Sequence, residues 1–574
     1  MQGARALVEV MRQSGVEHIF GLPGDTGMAF YDALGEVSGD ITHVMTRDER
    51  SASFMADAYA RVSGKLGVCE GPSGGGATYI VPGVAEAQGS ALPLLCLTSD
   101  TPVGQHGRGV LTELDQEGLF RPVTKWNTRI NSAATMAEAT RRAIRMATGG
   151  RPGATHLSMP TDALEGETPD WSVYGVPEFA AAPAARVRPD QALLERAAAE
   201  IAAAERPVIV AGGGVVISQA WDALTAFAEA LNVPVATSIN GKGSIAETSP
   251  VAIGVIGGNG ARPYANACLA EADLVVYIGS RTDSTTTCHW TLPSIENPPA
   301  IIQIDIEAFE IGNNYPLSVG LLGDARLALE GLLDAVPRPA AVAARNQARI
   351  DDLQGQRVVY WRDVAAQAAV HSSPIKPAQV TRELRNLLDD DAIIVADPGT
   401  PTPFLNAQYE LRQGGRTLVI PRAHGGLGYA IPAVIGAWYG GRGRRVIGMT
   451  GDGSFGMSVG ELETISRLGL PITIIQCSNG SFGWIKELQH LYHDDRYFSV
   501  DFNTVDYAAI ARGFGMGAAH VSDPAEVAGA LRRALAADGP YFLDLATESP
   551  ITETPPVAAW TAAEARRRVG AQAR

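Results

Sequence analysis

Residues 444–483 read RRVIGMTGDGSFGMSVGELETISRLGLPITIIQCSNGSFG. The apolar run from Arg444 to Met449 leads into the turn Gly451-Asp452-Gly453, and a segment with helical spacing, Val459 to Leu468, follows. A second buried-strand pattern, Pro471 to Gln476, then ends at Cys477-Ser478-Asn479. A strand–turn–helix–strand unit of this kind puts both turns at the carboxyl ends of adjacent parallel strands, the edge at which α/β sheets hold ligands. The Asp452 carboxylate, the Asn479 side chain and the Ser481 carbonyl offer a hard divalent cation three oxygen ligands. A diphosphate and a water complete an octahedron around Mg2+. Gly451 and Gly453 let backbone N–H groups approach phosphates, and the helix after the turn adds the positive end of its dipole. A lone GDG is an ordinary turn in most chains; the Asn one strand–helix–strand unit later gives this one its chemical content.

Working outward, the same alternation fills the chain. From Ala4 to Pro160, helical patterns alternate with the short apolar strands Val16 to Phe20, Thr42 to Met45, Leu66 to Cys69, Pro93 to Leu97 and Ala154 to Ser158. Such alternation predicts a doubly wound parallel sheet. Thr168 to Pro189, which contains PEFAAAPAAR, reads as a linker. A second series runs from Gln191 to Val336, with strands Pro207 to Ala211, Leu274 to Ile278 and Ala300 to Asp305. The first two of these lead into Gly212-Gly213-Gly214 and Gly279-Ser280-Arg281. An Ala-rich, partly helical connection then leads to a third series, opening at Ile375-Lys376-Pro377 and closing at Leu543-Asp544-Leu545. At 574 residues the chain is too long for one core. The expected fold class is α/β, with three doubly wound parallel-sheet domains at 1–167, 189–336 and 374–546 and a C-terminal tail at 547–574.

A hydrophobic content of 46% with 19% charged residues is the balance of a globular chain rather than a disordered one. The formal charge of −16 disfavours nucleic acid or an anionic membrane as partner. Met1-Gln2-Gly3-Ala4-Arg5 leads straight into an amphipathic helix, and no apolar run reaches roughly 18 residues, so neither a signal peptide nor a membrane span is expected. Cys69, Cys96, Cys268, Cys288 and Cys477 are odd in number and form no CxxC. They read as reduced thiols of a cytoplasmic protein.

The GDG-to-Asn spacing resembles the signature of thiamin diphosphate (ThDP) enzymes. Over almost its whole length the chain is similar to the acetolactate synthase / pyruvate oxidase / benzoylformate decarboxylase superfamily. The resemblance implies pyrimidine-binding, middle and diphosphate-binding domains in that order. It also implies ThDP and Mg2+ held where the first domain of one chain meets the last domain of a partner, in a homodimer or homotetramer. Gly451, Asp452, Gly453, Ser454, Asn479, Ser481, Phe482 and Gly483 then surround the diphosphate, with Asp452, Asn479 and Ser481 on the metal.

ThDP chemistry needs a carbanion at C2, and the cofactor's own 4′-amino group takes that proton once a carboxylic acid protonates N1′. In family members this acid is a Glu ending the second strand of the first domain. Here Val44-Met45-Thr46-Arg47-Asp48-Glu49 supplies Glu49, and a helix from Ser51 to Arg61 follows. Burial against apolar groups raises such a carboxyl's pKa. The alternative for Glu49, as for Asp48, is a charge favourable to the helix dipole. The family's GPGxxN element reads Gly71-Pro72-Ser73-Gly74-Gly75-Gly76-Ala77-Thr78-Tyr79, with Tyr79 in place of Asn and Gly76 facing the cofactor. In the loop from His424 to Pro432, Leu427 beside Gly426 takes the place of the large apolar side chain over which ThDP bends. Thr400, in Asp397-Pro398-Gly399-Thr400, is the hydroxyl donor toward the diphosphate. His424, His490, His493 and Gln116 are candidate proton-transfer groups, His424 foremost because it lies three residues before Leu427; a surface or packing role is the alternative for each His.

Gly279-Ser280-Arg281-Thr282-Asp283 matches the turn at which flavin-binding members hold FAD, and Gly213, Arg281, Asp283, Asp305 and Asp324 make up a nucleotide-type site. FAD, the ADP part of coenzyme A and no ligand stand as equal alternatives there. Two departures bear on substrate: Thr112 stands where acetolactate synthases carry Gln, and Leu488 where they carry Trp. Both point away from a housekeeping acetohydroxyacid synthase and toward a roomier, less polar pocket, unless the tail from Pro555 to Trp560 folds over the site. The expected activity is ThDP- and Mg2+-dependent 2-oxo acid decarboxylation, with or without carboligation. The alternatives are a 2-hydroxyacyl-CoA lyase, a flavin-dependent 2-oxo acid oxidase and a non-catalytic ThDP-binding protein. The partner is a small molecule, a 2-oxo acid or a 2-hydroxyacyl thioester.

Overall fold

The computed structural model describes residues 1–370 and 372–572. Three six-stranded parallel sheets form in chain order. The first comprises β1 (His18–Gly21), β2 (Thr42–Met45), β3 (Gly67–Gly71), β4 (Leu94–Asp100), β5 (Trp126–Arg129) and β6 (Ala154–Pro160), ordered β2-β1-β3-β4-β6-β5. The second comprises β7 (Pro207–Ala211), β8 (Val235–Thr237), β9 (Ala252–Val255), β10 (Leu274–Ile278), β11 (Ala300–Asp305) and β12 (Val319–Leu322), ordered β12-β11-β10-β7-β8-β9. The third comprises β13 (Ile393–Ala396), β14 (Leu418–Val419), β15 (Val446–Gly451), β16 (Thr473–Ser478), β17 (Gly517–Val521) and β18 (Tyr541–Ala546), ordered β14-β13-β15-β16-β18-β17. The strands β3, β4, β6, β7 and β10 have no exposed residue. Helices cover both faces of such sheets, which is why β7 and β10 read as unbroken apolar runs rather than alternating ones.

The first and third sheets share one winding order, and it reverses between their first and third strands. That switch point leaves a crevice at the carboxyl ends. In the first sheet the crevice is bounded by the segments after β1 and β3, residues 22–26 and 72–76. In the third it is bounded by Asp397–Thr400 after β13 and by the Gly451-Asp452-Gly453 turn after β15. The second sheet, read from β9, has the 3-2-1-4-5-6 order of dinucleotide-binding folds. Its switch point lies between β7 and β10, beside Gly212–Gly214 and Gly279–Asp283.

By internal contacts the chain gathers into two compact units: one of Met1–Ala185, Pro421–Gly448 and Gly456–Ile472, the other the rest of the described chain. In the first unit the Glu49–Ser63 helix is capped by Asp48, whose carboxylate accepts the Arg50 N–H, and it stops at Gly64 with φ +75°. Its small residues allow a close approach by the Ala430–Gly441 helix: a Cβ on Gly436 would sit 1.9 Å from the Met55 carbonyl oxygen. In the second unit Glu247 is buried between Lys242 and Arg262 and accepts bonds of 2.8 and 2.9 Å from them, so each of these three charges is paired.

The structure departs from the sequence reading in two places. The helix expected from Val459 to Leu468 is Glu461–Arg467, and a separate helix, Asp452–Ser458, starts directly at the metal-type Asp. The Ala-rich connection is a continuous helix of 30 residues, Pro339–Ala368, because Ala, Arg and Gln are all strong helix formers. The basic tail is helical over Ala558–Gln572. Among the described residues no helix is long and apolar enough to cross a membrane.

Candidate active site

In the second unit, Asp452 follows β15 directly and is 5% exposed. Its Oδ2 accepts the N–H groups of Asn479 at 3.0 Å and Gly480 at 2.7 Å, and its Oδ1 accepts that of Gly453 at 3.0 Å. These bonds tie the ends of β15 and β16 together and aim the carboxylate. The Asn479 Oδ1 accepts from the Ser481 hydroxyl at 2.9 Å, and the Ser481 carbonyl accepts the Gly483 N–H at 2.8 Å. One carboxylate with two neutral oxygens suits Mg2+, which keeps phosphate oxygens and water in its shell rather than an all-protein cage. Burial raises the Asp452 carboxyl, against the opposing Gly480 and Asn479 N–H groups, and a divalent cation pulls it back down. Gly453 is required: a Cβ there would meet the Phe482 ring at 2.8 Å. Asp397 accepts the Thr450 hydroxyl at 2.7 Å, joining the two switch-point loops, while Thr400 sits half-buried at the head of the Pro401–Gln408 helix.

In the first unit, Glu49 opens its helix with its side chain buried, 7% exposed, and that side chain makes no hydrogen bond to another residue among the described residues. Burial, with the Asp48 charge adding, holds its carboxyl above the usual range. The glycine loop lies flat against it: a Cβ on Gly76 would come 3.0 Å from the Glu49 Oε1, and one on Gly71 3.2 Å from its Cγ. A buried, unpartnered carboxyl beside a cradle with no side chains fits a flat heterocycle whose ring nitrogen shares its proton.

Next to it lies a group that sequence reasoning missed. Glu70, on β3, is fully buried and accepts the Tyr31 hydroxyl, which is also 3.3 Å from the His43 Nε2. Burial pushes the Glu70 carboxyl up to about 8, with the Glu49 charge adding and the Tyr31 hydroxyl opposing. Burial pushes His43 down to about 4, so its ring is neutral. Burial raises both neighbouring carboxyls, and the charge of Glu49 adds to the rise at Glu70. The only sequence signal was a charge inside an otherwise apolar strand.

A carboxyl raised in the folded state is stabilising to keep protonated. Its contribution is whole below the unfolded value near 4.5 and is lost as pH climbs through about 8. At about 1.4 kcal/mol per unit, the cofactor-free protein should lose a few kcal/mol between pH 5 and pH 9 that Glu70→Gln does not lose. Denaturant titrations at the two pH values check this; equal losses in both proteins would contradict it.

Leu427 is half-buried in the segment before the Ala430–Gly441 helix, between Gly425 at φ +73° and Gly428 at φ +77°. Gly426 packs on Phe54, whose ring a Cβ would reach at 3.2 Å. His424 is exposed beside it. His490 is held by Asp495 at 2.5 Å and Glu564 at 3.3 Å, and His493 is exposed. Gln116 leaves the proton-transfer set. It is buried in the first sheet, its Oε1 accepting the Thr98 hydroxyl and its Nε2 donating to the Ser99 carbonyl at 2.9 Å, so both ends of the amide are used by the core.

Thr112 is exposed at φ +67°, a costly conformation for a β-branched residue. Its hydroxyl lies 2.7 Å from the Ser73 Oγ, and the chain continues through Thr26 to Ser99. Leu488 does not open a pocket. With Trp484 and Leu491 it packs under Val557, Trp560 and Ala563 of the tail. In the middle sheet, Asp324 is buried, caps the Ala325–Ala335 helix and holds Arg186 at 2.8 Å and Ser218 at 2.8 Å, which takes it out of the nucleotide set. Asp283 caps the N–H groups of Thr285 and Thr286, and Asp305 accepts the Glu307 N–H. Gly213 opens a short helix and Arg281 is exposed.

Three family models match in series: the thiamine pyrophosphate enzyme N-terminal TPP binding domain over residues 1–119, the central domain over 194–332 and the C-terminal TPP binding domain over 397–545. The chain belongs to the thiamine pyrophosphate enzyme family. Thiamine pyrophosphate is ThDP, and two of the three matching models are those of TPP binding domains. The enzyme is 34% identical to a probable acetolactate synthase large subunit of Methanococcus aeolicus, over 98% of this chain and 95% of that protein. It is 34% identical to one of Methanocaldococcus jannaschii over 95% and 92% of the two chains. To the acetolactate synthase large subunit of Parasynechococcus marenigrum it is 30% identical, over 95% and 87%. It is a ThDP-dependent enzyme of the decarboxylase, carboligase or lyase type.

Proposed function

We propose that this enzyme is an acetolactate synthase-like, Mg2+-requiring 2-oxo acid decarboxylase, with or without carboligation, that does not serve as a housekeeping acetohydroxyacid synthase. The observation that carries the catalytic part is Glu49, buried against Gly71 and Gly76 with no side-chain hydrogen-bond partner among the described residues. Bound ThDP supplies an acidic C2–H and an electron sink for the carbon that loses CO2. Glu49 holds a proton at its carboxyl for the pyrimidine N1′, and Leu427 is the apolar side chain over which the cofactor bends. Asp452, Asn479 and the Ser481 carbonyl hold Mg2+, while Gly451, Gly453, Ser454, Phe482 and Gly483 border the diphosphate and Thr400 donates to it. His424 is the candidate proton-transfer group on the substrate side. On this reading the working site lies between two chains, a dimer is the minimal active unit and the enzyme is cytoplasmic.

The substrate reading now rests on Thr112 alone, because Leu488 is covered by the tail. A Thr in place of a Gln leaves room for a donor or acceptor bulkier than pyruvate, an effect of about 1–3 kcal/mol in selectivity. A screen of 2-oxo acids and 2-hydroxyacyl-CoA thioesters for CO2 or aldehyde release tests this. The expected result is faster turnover of a 2-oxo acid larger than pyruvate. Efficient conversion of two pyruvates to acetolactate, with no larger substrate preferred, would refute the departure from the housekeeping role. The dinucleotide-type strand order of the second sheet favours a nucleotide-bearing ligand there, FAD or the ADP part of coenzyme A. A yellow protein marks FAD, and thermal stabilisation by CoA alone marks the lyase.

A further inference from the structure

Residues 421–429 lie outside any helix or strand, yet they carry both His424 and Leu427. One side chain binds the backbone of residues 422–425. Glu86, on the Val81–Gly89 helix, is 1% exposed. Its Oε1 accepts the N–H groups of Arg422 at 3.1 Å and Ala423 at 3.2 Å, and its Oε2 those of Ala423 at 3.2 Å, His424 at 2.7 Å and Gly425 at 3.2 Å. Four consecutive backbone donors thus converge on one carboxylate, the arrangement by which protein loops grip anions.

The carboxylate is itself locked from behind. Arg61 donates to the Glu86 Oε1 at 2.8 Å and to the Asp57 Oδ2 at 2.6 Å, and Ser90 donates to the Glu86 Oε1 at 2.8 Å. Asp57 is fully buried and accepts the Tyr429 hydroxyl at 2.5 Å. The loop is therefore fastened at both ends, by Glu86 on residues 422–425 and by Asp57 on Tyr429. Leu427 stands between the two anchors. Both anchors lead to Arg61 and Asp57 on the helix that Glu49 opens. Burial works against the Glu86 charge, but Arg61 and the His424 N–H outweigh it and keep the carboxyl below its usual range.

We propose that Glu86 is a positioning residue: by binding the N–H groups of residues 422–425 it sets the height at which Leu427 meets the cofactor. This rests on the assignment of Leu427 as the apolar support under ThDP. Neutralising Glu86 loosens the loop without touching the metal ligands or Glu49. It should therefore degrade the geometry that brings the 4′-amino group to C2 more than it degrades cofactor binding. Displacements of about 1 Å in such geometry cost on the order of a hundredfold in rate.

The test uses the full-length protein with ThDP and Mg2+ as probes. In Glu86→Gln, amide hydrogen exchange of residues 422–425 in the cofactor-free protein should quicken by about tenfold or more. Exchange of the C2 proton of bound ThDP should slow by roughly ten- to a hundredfold, with the ThDP dissociation constant changed less than about threefold. Glu86→Asp, which keeps the charge, should fall between wild type and Glu86→Gln; it serves alone if Glu86→Gln does not fold. Unchanged amide exchange, or unchanged C2 exchange with loosened amides, overturns the positioning role. Leu427→Ala separates the two readings. If it slows C2 exchange while the Glu86 variants do not, this inference fails and the support role stands. If Leu427→Ala leaves C2 exchange intact, the support role itself is wrong.

Discussion

Glu49→Gln should slow exchange of the C2 proton of bound ThDP by about a hundred- to ten-thousandfold, the range spanned by general acid–base groups. The carboxyl is buried, has no other hydrogen-bond partner among the described residues and is raised by burial and by Asp48. Its environment therefore favours holding a proton that it shares with a partner of similar affinity. The amide of Gln keeps the shape and can still donate or accept, but it cannot exchange its proton for the charge that N1′ protonation requires. Folding should be unaffected, since no salt bridge or core hydrogen bond is lost. The check is rapid-quench NMR of C2 exchange in the loaded protein, with circular dichroism as control. Fast exchange in a folded Glu49→Gln variant removes Glu49 from the mechanism.

Asp452→Ala should weaken ThDP binding by more than about a hundredfold, and exhaustive chelation of the wild type should do the same. Loss of a residue behind a metal ligand costs about 10–100-fold, and Asp452 is the only charged member of the proposed ligand set. It also accepts the N–H groups of Asn479 and Gly480, so its removal loosens the other two ligands as well. Fluorescence titration with ThDP at fixed Mg2+ reads the effect. Tight binding by Asp452→Ala, or by the chelated wild type, would show that the diphosphate is held without this metal set.

Much of the architecture follows from local pattern. Strand-length apolar runs and helical spacings are properties of neighbouring residues, so β7, β10 and β11 lie where periodicity predicts them. The glycine turns after β3 and β15 mark strand ends, because close backbone approach excludes a Cβ at Gly76 and Gly453. The proposed roles of Glu49 and Asp452 rest on the family resemblance, carried for Asp452 by the Asn479 that lies one strand–helix–strand unit later. Where the local signal was weak, as for the short edge strands β5 and β14, the neighbouring sheet supplies the pairing instead.

What the sequence alone determined, then, is the α/β character and the order of the three sheets, since strand and helix periodicities are written in residues a few positions apart. Tertiary structure alone decided the fate of individual polar side chains. Glu70 and Gln116 look alike as lone polar residues, yet one is a raised carboxyl beside Glu49 and the other an amide used up by Thr98 and Ser99. Glu86 and His424 stand 338 residues apart, and nothing near either announces their bond. Leu488 was open in sequence and is closed by Trp560 of the tail. The physical reason is common to all four. Burial and partnership arise from elements brought together only by folding, and a side chain's charge or its freedom to face a ligand depends on the dielectric and the donors it meets there.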